Sequence, residues 1–165
     1  MIKFCETEVV FSEIPNEITL AVNISNCQHN CLGCHSPHLR KDVGEELTEE
    51  VIDNLIKENN GITCFCFMGE GNDKETLKNL LRYIKGKHPQ IRTALYSGDK
   101  EVNVEYLSLL NYYKIGNYIE EFGPLNKETT NQKLYEVILT RDVDENYNPV
   151  YGLNDITYMF WRKNI

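Results

Sequence analysis

Glu17-Ile18-Thr19-Leu20-Ala21-Val22-Asn23-Ile24-Ser25 runs without a break into Asn26-Cys27-Gln28-His29-Asn30-Cys31-Leu32-Gly33-Cys34-His35. The first half is an apolar-rich run that reads as a buried strand. The second half sets three cysteines at C-x3-C-x2-C spacing, with no fourth cysteine close behind. The strand leads straight into the cysteine loop, which therefore sits at its carboxyl end.

Three thiolates hold three corners of a four-iron cluster and leave one iron without a protein ligand. Clusters that only carry electrons usually close all four corners with cysteine. An open metal position is a place for chemistry, as in catalytic rather than structural metal sites. Zinc is the competing occupant, since His29, His35 and His38 are near enough in sequence to add a fourth ligand. Zinc sites, however, usually bring together two ligand pairs from separate parts of the chain.

Working outward, Thr48 is placed to cap a helix from Glu49 to about Asn59, with Glu49 and Glu50 in the first turn, where the helix dipole favours acids. Val51, Ile52, Leu55 and Ile56 form its apolar stripe, and Asn60-Gly61 stops it. Ile62 to Met68 reads as a second buried strand, ending at Gly69-Glu70-Gly71. Asn72 with Glu75 resembles a capping box, and Leu77, Leu80, Leu81 and Ile84 give a helical stripe. Ile91 to Tyr96 is a third strand stopped by Ser97-Gly98. Asn103 is expected to cap a short helix through Leu110, Tyr112 to Ile115 is a fourth strand, and Leu134 to Leu139 a fifth. Val9-Val10-Phe11 is a candidate edge strand, and Trp161 a tail anchor.

Alternation of strands with helices predicts an α/β fold with a parallel sheet. About four such units are visible, and a full eight-unit barrel needs about 250 residues. The expectation is therefore a partial, open parallel β/α barrel over 1–165, as one domain. The cysteine loop, Gly69-Glu70, Ser97-Gly98 and Lys114-Gly116 all fall at strand ends and should meet on one rim.

The 165 residues carry a net charge of −8 and a pI of about 5.0. That balance argues against a nucleic-acid footprint and against an anionic membrane surface. No segment has the roughly 20 apolar residues needed to cross a bilayer. Met1 to Glu6 lacks the charged start and apolar core of a secretion signal. The six cysteines are thus expected in a reducing cytoplasm, as ligands or core thiols. Cys64 and Cys66, alternating on one strand face, read as buried core residues.

The cysteine spacing after the first strand resembles the radical S-adenosylmethionine enzymes. Three longer runs narrow the resemblance: Cys31-Leu32-Gly33-Cys34-His35-Ser36-Pro37, Tyr113-Lys114-Ile115-Gly116-Asn117-Tyr118-Ile119-Glu120-Glu121, and Thr129-Thr130-Asn131-Gln132-Lys133-Leu134-Tyr135. Together they are similar to the activating proteins of anaerobic ribonucleotide reductase, over most of the chain from about Glu17 to Trp161.

That resemblance implies a [4Fe-4S] cluster on Cys27, Cys31 and Cys34, whose open iron chelates S-adenosyl-L-methionine. It implies reductive cleavage to a 5′-deoxyadenosyl radical and formation of a glycyl radical on a partner, the reductase large subunit. An external electron donor such as flavodoxin is implied too, since no second cluster motif is present. Around S-adenosylmethionine it implies Gly33 near the adenine and Gly69 and Glu70 at the amino group; by their own chemistry the Ser97 hydroxyl suits a ribose or carboxylate oxygen, and an inward Lys114 needs an anion, for which the methionine carboxylate is suitable. Met68 stands where the family has the first glycine of its Gly-Gly-Glu motif. Beside these stand plainer readings: Gly33 and Ser97-Gly98 as turn residues, Glu70 as a solvent-facing acid, Lys114 as an edge-strand surface lysine. His29 and His35 are candidates for hydrogen bonds that tune the cluster.

Overall fold

The computed structural model describes residues 1–34 and 36–161. In chain order its elements are strands β1 (Lys3–Val10), β2 (Thr19–Ile24) and β3 (Glu45–Glu46), helix α1 (Glu49–Glu58), β4 (Cys64–Met68), helix α2 (Lys74–Lys87), β5 (Arg92–Tyr96), β6 (Tyr112–Ile115), β7 (Lys133–Val143) and β8 (Pro149–Asp155). All eight strands lie in one sheet, ordered β3-β1-β2-β4-β5-β6-β7-β8.

The partial parallel β/α barrel expected from the sequence does not form. The sheet is mixed, and among the described residues two α-helices accompany it. Its centre, β2-β4-β5-β6, is parallel. Its flanks are antiparallel: β1 pairs β2 and β3 on one side, and β7 pairs β6 and β8 on the other. The cause is local. The chain leaves β6 at Gly116, whose φ of 99° suits glycine, and returns along the same strand instead of crossing over through a helix. The expected helix after Asn103 also shrinks. Asn103 Oδ1 does accept from Glu105 N (3.0 Å), but it caps a single 3-10 turn, Val104–Tyr106.

Both helices cover one face of the sheet. Thr48 Oγ1 caps α1 by accepting from Val51 N at 3.2 Å. The cap of α2 is Asp73, not Asn72: it accepts from Thr76 N (3.1 Å) and Thr76 Oγ1 (2.6 Å). Ile52 of α1 and Leu77, Leu80, Leu81 and Ile84 of α2 are buried in a core shared with Leu20, Val22, Phe65, Phe67 and Leu95. The other face carries a smaller core of Cys64, Cys66, Ala94, Tyr112 and Leu134, closed by Ile14 and Ile156. With both faces covered, β4 reads as the continuous apolar run Cys-Phe-Cys-Phe-Met, as buried parallel strands do. Trp161 anchors the tail, donating from Nε1 to Leu125 O at 2.9 Å. No helix among the described residues is long and apolar enough to cross a membrane.

Because the four central strands are parallel, their carboxyl ends share one rim. Backbone bonds tie it together: Gly69 N donates to Tyr96 O (3.0 Å), Ser97 N to Lys114 O (2.8 Å) and Gly116 N to Asp99 O (2.6 Å).

Candidate functional site

The cysteine loop springs from β2 at this rim. Asn26 turns the chain with φ 60°, a conformation asparagine tolerates better than most residues. The loop is pinned at its root by Asn26 N to Lys41 O (3.2 Å) and Cys27 N to Leu39 O (2.8 Å). Near its middle, Arg40 Nη2 donates to Cys31 O at 2.7 Å. Cys27, Cys31 and Cys34 are all free and partly exposed. Cys34 Sγ accepts the backbone N–H of Ser36 at 3.4 Å. Cys64 and Cys66 are free but fully buried in β4. Burial pushes the Cys64 thiol up to about 12 and Cys66 well above its ordinary value. The site therefore separates reactive from inert thiols: three accessible ones on a loop, two sealed in the sheet.

Three accessible thiols on one short loop fit an iron–sulfur cluster, which takes soft thiolate ligands. Two of the three histidines that could add a fourth ligand lie beside carboxylates. His29 Nε2 lies 3.4 Å from Asp99 Oδ1, its ring resting on Gly98, and His38 Nε2 lies 3.5 Å from Glu6. His35 lies outside the described residues.

Lys114 points inward from β6 and is buried. Its Nζ donates to Gly116 O (2.8 Å) and Ser97 O (3.1 Å), and lies 5.8 Å from the centre of the Tyr96 ring. Burial lowers its pKa to about 8, and the Cys31 and Cys27 thiols oppose that shift. The plainer reading of a surface lysine is excluded. The ammonium has three N–H donors, of which these two carbonyls occupy two.

Glu70 is likewise buried rather than solvent-facing, at 9% exposed, and its Oε1 has no hydrogen-bond partner. Its carboxyl is raised above the usual range, first by burial and then by the Asp99 carboxylate, while the Ser97 hydroxyl and Lys74 pull it back. Ser97 is fully buried, and its Oγ accepts from Asp99 N at 3.0 Å. Gly69 follows β4 with φ 111°, open only to glycine at low cost. Gly33 (φ 75°) lies on the loop against Glu120 and Tyr118, where a Cβ would meet Glu120 Cδ at 3.2 Å.

The rim thus brings Gly69, Glu70, Ser97 and Lys114 together at neighbouring strand ends, beside the cysteine loop. It adds Asp99 and Glu120, which the sequence reading did not single out. Asp99 directly follows Ser97-Gly98, and that adjacency was the available signal. A cleft of about 580 Å³ opens between loop and rim, lined by His29, Asn30, Cys31, Asp99, Lys100 and Asn117 among others. That volume falls within the roughly 300–1,000 Å³ of small-molecule sites.

A family model described as a 4Fe-4S single cluster domain matches residues 18–136, which span β2 through the first residues of β7 and include the whole cysteine loop. The chain belongs to this 4Fe-4S single cluster family. No curated protein and no solved structure matches it. As a 4Fe-4S single cluster protein it carries a metal group compatible with redox chemistry. Within the matched span, the accessible cysteines are the three on the loop.

Proposed function

We propose that this iron–sulfur protein is a radical S-adenosylmethionine enzyme that activates a glycyl-radical partner, with Cys27, Cys31 and Cys34 as the cluster ligands. The observation that carries the reading is the cleft opening onto Cys31. A loop with three thiolates leaves one metal corner for an outside ligand, and the cleft gives that ligand room directly beside it. When bound, such a cluster supplies the electron that cleaves the sulfonium of S-adenosylmethionine and so starts hydrogen abstraction from a glycine Cα.

The protein's own residues do the positioning. Lys114 is a buried cation at the foot of the loop, and its third N–H can meet the methionine carboxylate. Gly69 leaves the backbone open at the end of β4, and Glu70 sets a buried anion there to suit the amino group. Fixing both ends of a small charged molecule orients the bond that breaks, and orientation supplies much of such catalysis. Gly33 allows close approach of backbone to the adenine. The Ser97 hydroxyl holds the 97–99 turn through Asp99 N, so its part is to shape the strand end.

By resemblance the partner is the large subunit of an anaerobic ribonucleotide reductase, with an external reductant such as flavodoxin. The test is anaerobic reconstitution with iron and sulfide, followed by reduction with dithionite in the presence of S-adenosylmethionine. The expected product is 5′-deoxyadenosine, together with a glycyl radical seen by electron paramagnetic resonance when the partner is added. A fully reconstituted cluster that yields no deoxyadenosine above background would refute the reading.

A further inference from the structure

Three ligand-bearing side chains from three separate strand ends meet beside the cysteine loop: His29 after β2, Glu70 after β4 and Asp99 after β5. One donor atom from each lies within 4.8 Å of the other two. We propose that His29, Glu70 and Asp99 form a second metal site that binds a divalent first-row cation, separate from the cluster thiolates.

Four observations carry this. The first is spacing. With metal–ligand bonds of about 2.0–2.2 Å, neighbouring ligand atoms at 90–110° stand about 3.0–3.5 Å apart, and opposite ones about 4.2 Å. His29 Nε2 and Asp99 Oδ1 are 3.4 Å apart. This is long for a hydrogen bond and suits two atoms that share a third. The second is burial. Glu70 is 9% exposed, and its Oε1 has no hydrogen-bond partner. A buried carboxylate oxygen without a donor is costly unless a cation or a donor meets it.

The third is charge. Two carboxylates are held together with one of them buried; Lys74 Nζ reaches Asp99 Oδ2 only at 3.8 Å, from a side chain that is 55% exposed, and the buried Lys114 ammonium already gives two of its N–H donors to the Ser97 and Gly116 carbonyls. A loosely placed surface ammonium compensates two acids poorly. The fourth is fixation. The His29 ring is seated against Gly98, so one ligand is already oriented, as metal-binding imidazoles usually are. One imidazole with two carboxylates is a mixed nitrogen and oxygen set, of the kind taken by manganese, iron(II) or zinc.

The metal would take the same Glu70 carboxylate that the proposed function sets at the amino group, so the two readings compete for that side chain, and this one is tested without S-adenosylmethionine. The reconstituted protein, with its cluster oxidised and silent in electron paramagnetic resonance, is titrated anaerobically with Mn²⁺. The six-line signal of free Mn²⁺ then reads the bound fraction. Manganese is a hard ion, so it reports the oxygen and nitrogen site rather than leftover thiolates. The expected result is one Mn²⁺ per chain, weakened on the order of tenfold or more in Asp99→Asn and in His29→Gln. Lys74→Gln removes the competing charge from an exposed position and should tighten binding severalfold. This opposite sign keeps the test informative even if a ligand variant loses its cluster. Absence of saturable binding in the wild-type protein would overturn the proposal. So would an affinity unchanged in both Asp99→Asn and Lys74→Gln.

Discussion

The imidazole of His29 lies so close over Gly98 that a Cβ built there would sit 2.5 Å from its Cδ2 and 2.8 Å from Cγ and Nε2. The glycine is not needed for its backbone angles, since its φ lies outside the left-handed region. It is needed because the cysteine loop leans on it. Gly98→Ala should therefore push the ring and the Asn30–Cys31 segment outward. Overpacking of this kind costs about 1–3 kcal/mol. The expected outcome is a lower iron and sulfide content after reconstitution and a lower melting temperature. Both should be restored when His29→Ala is added, because the clash then has no second partner.

Lys114→Met separates structural from functional roles. Removing a buried charge and replacing it with an apolar side chain of similar length is often neutral or stabilising. The melting temperature of the apoprotein should hold or rise. The reduction potential of the cluster should fall, since a nearby positive charge favours the extra electron, and S-adenosylmethionine binding should weaken. Potentiometry and equilibrium binding check the two readouts separately. An unchanged potential would place the lysine too far from the cluster to act on it.

The two classes of thiol predict a labelling pattern. In the folded apoprotein at pH 8, a maleimide should modify Cys27, Cys31 and Cys34 rapidly, because all three are partly exposed. Cys64 and Cys66 should stay unmodified until denaturant is added, since they are sealed in β4 and their pKa values are raised by burial. Peptide mass mapping after labelling reads the result. Reconstitution with iron and sulfide should then protect the loop thiols alone.

Asp53 fastens α1 to α2. It accepts from Tyr83 OH (2.6 Å) and Lys87 Nζ (3.0 Å), and meets His88 Nε2 at 2.7 Å. These partners, Tyr83 foremost, hold its carboxyl down to about 2. A carboxyl depressed in the folded state contributes stability above its unfolded value, near 3.9, and loses it as pH falls through the folded value. Asp53→Asn should therefore lower the melting temperature at pH 6–7. The gap to wild type should close between about pH 4 and pH 2, which parallel thermal melts would follow.

Much of the parallel centre was legible because its signals are local. Thr48 caps α1 from three residues away, and the apolar runs at Thr19–Ile24 and Cys64–Met68 need no distant partner to be read as strands. Two of the misses involve residues distant in sequence, and one is a local reversal. Asp73, not Asn72, caps α2, and its carboxylate also takes the Met1 ammonium from far away in sequence. The turn at Asn103 stops short because Tyr106 is buried edge-on against Tyr113, at 5.9 Å between ring centres. The reversal at Gly116 turns an apparent further β/α unit into an antiparallel pair, and nothing in the periodicity of Leu134 to Leu139 distinguishes the two.

The site was legible as types of residue more than as contacts. Cys27, Cys31 and Cys34 declare themselves by spacing. Glu70 and Lys114 follow from their places at strand ends. Asp99 adjoins the Ser97-Gly98 turn in sequence, but only the sheet register brings it to His29 and Glu70.

The same directionality of the central strands sets the opposite end of the sheet far from the cysteine loop. The turns at 59–63 and 88–91 lie there. With β4 five residues long and strands rising about 3.3 Å per residue, roughly 17 Å of backbone separates them from the cysteine loop. A surface tether, fluorophore or fused carrier joined at the 59–63 turn would hold the molecule by the end away from the cysteines and leave the rim facing outward to whatever it meets.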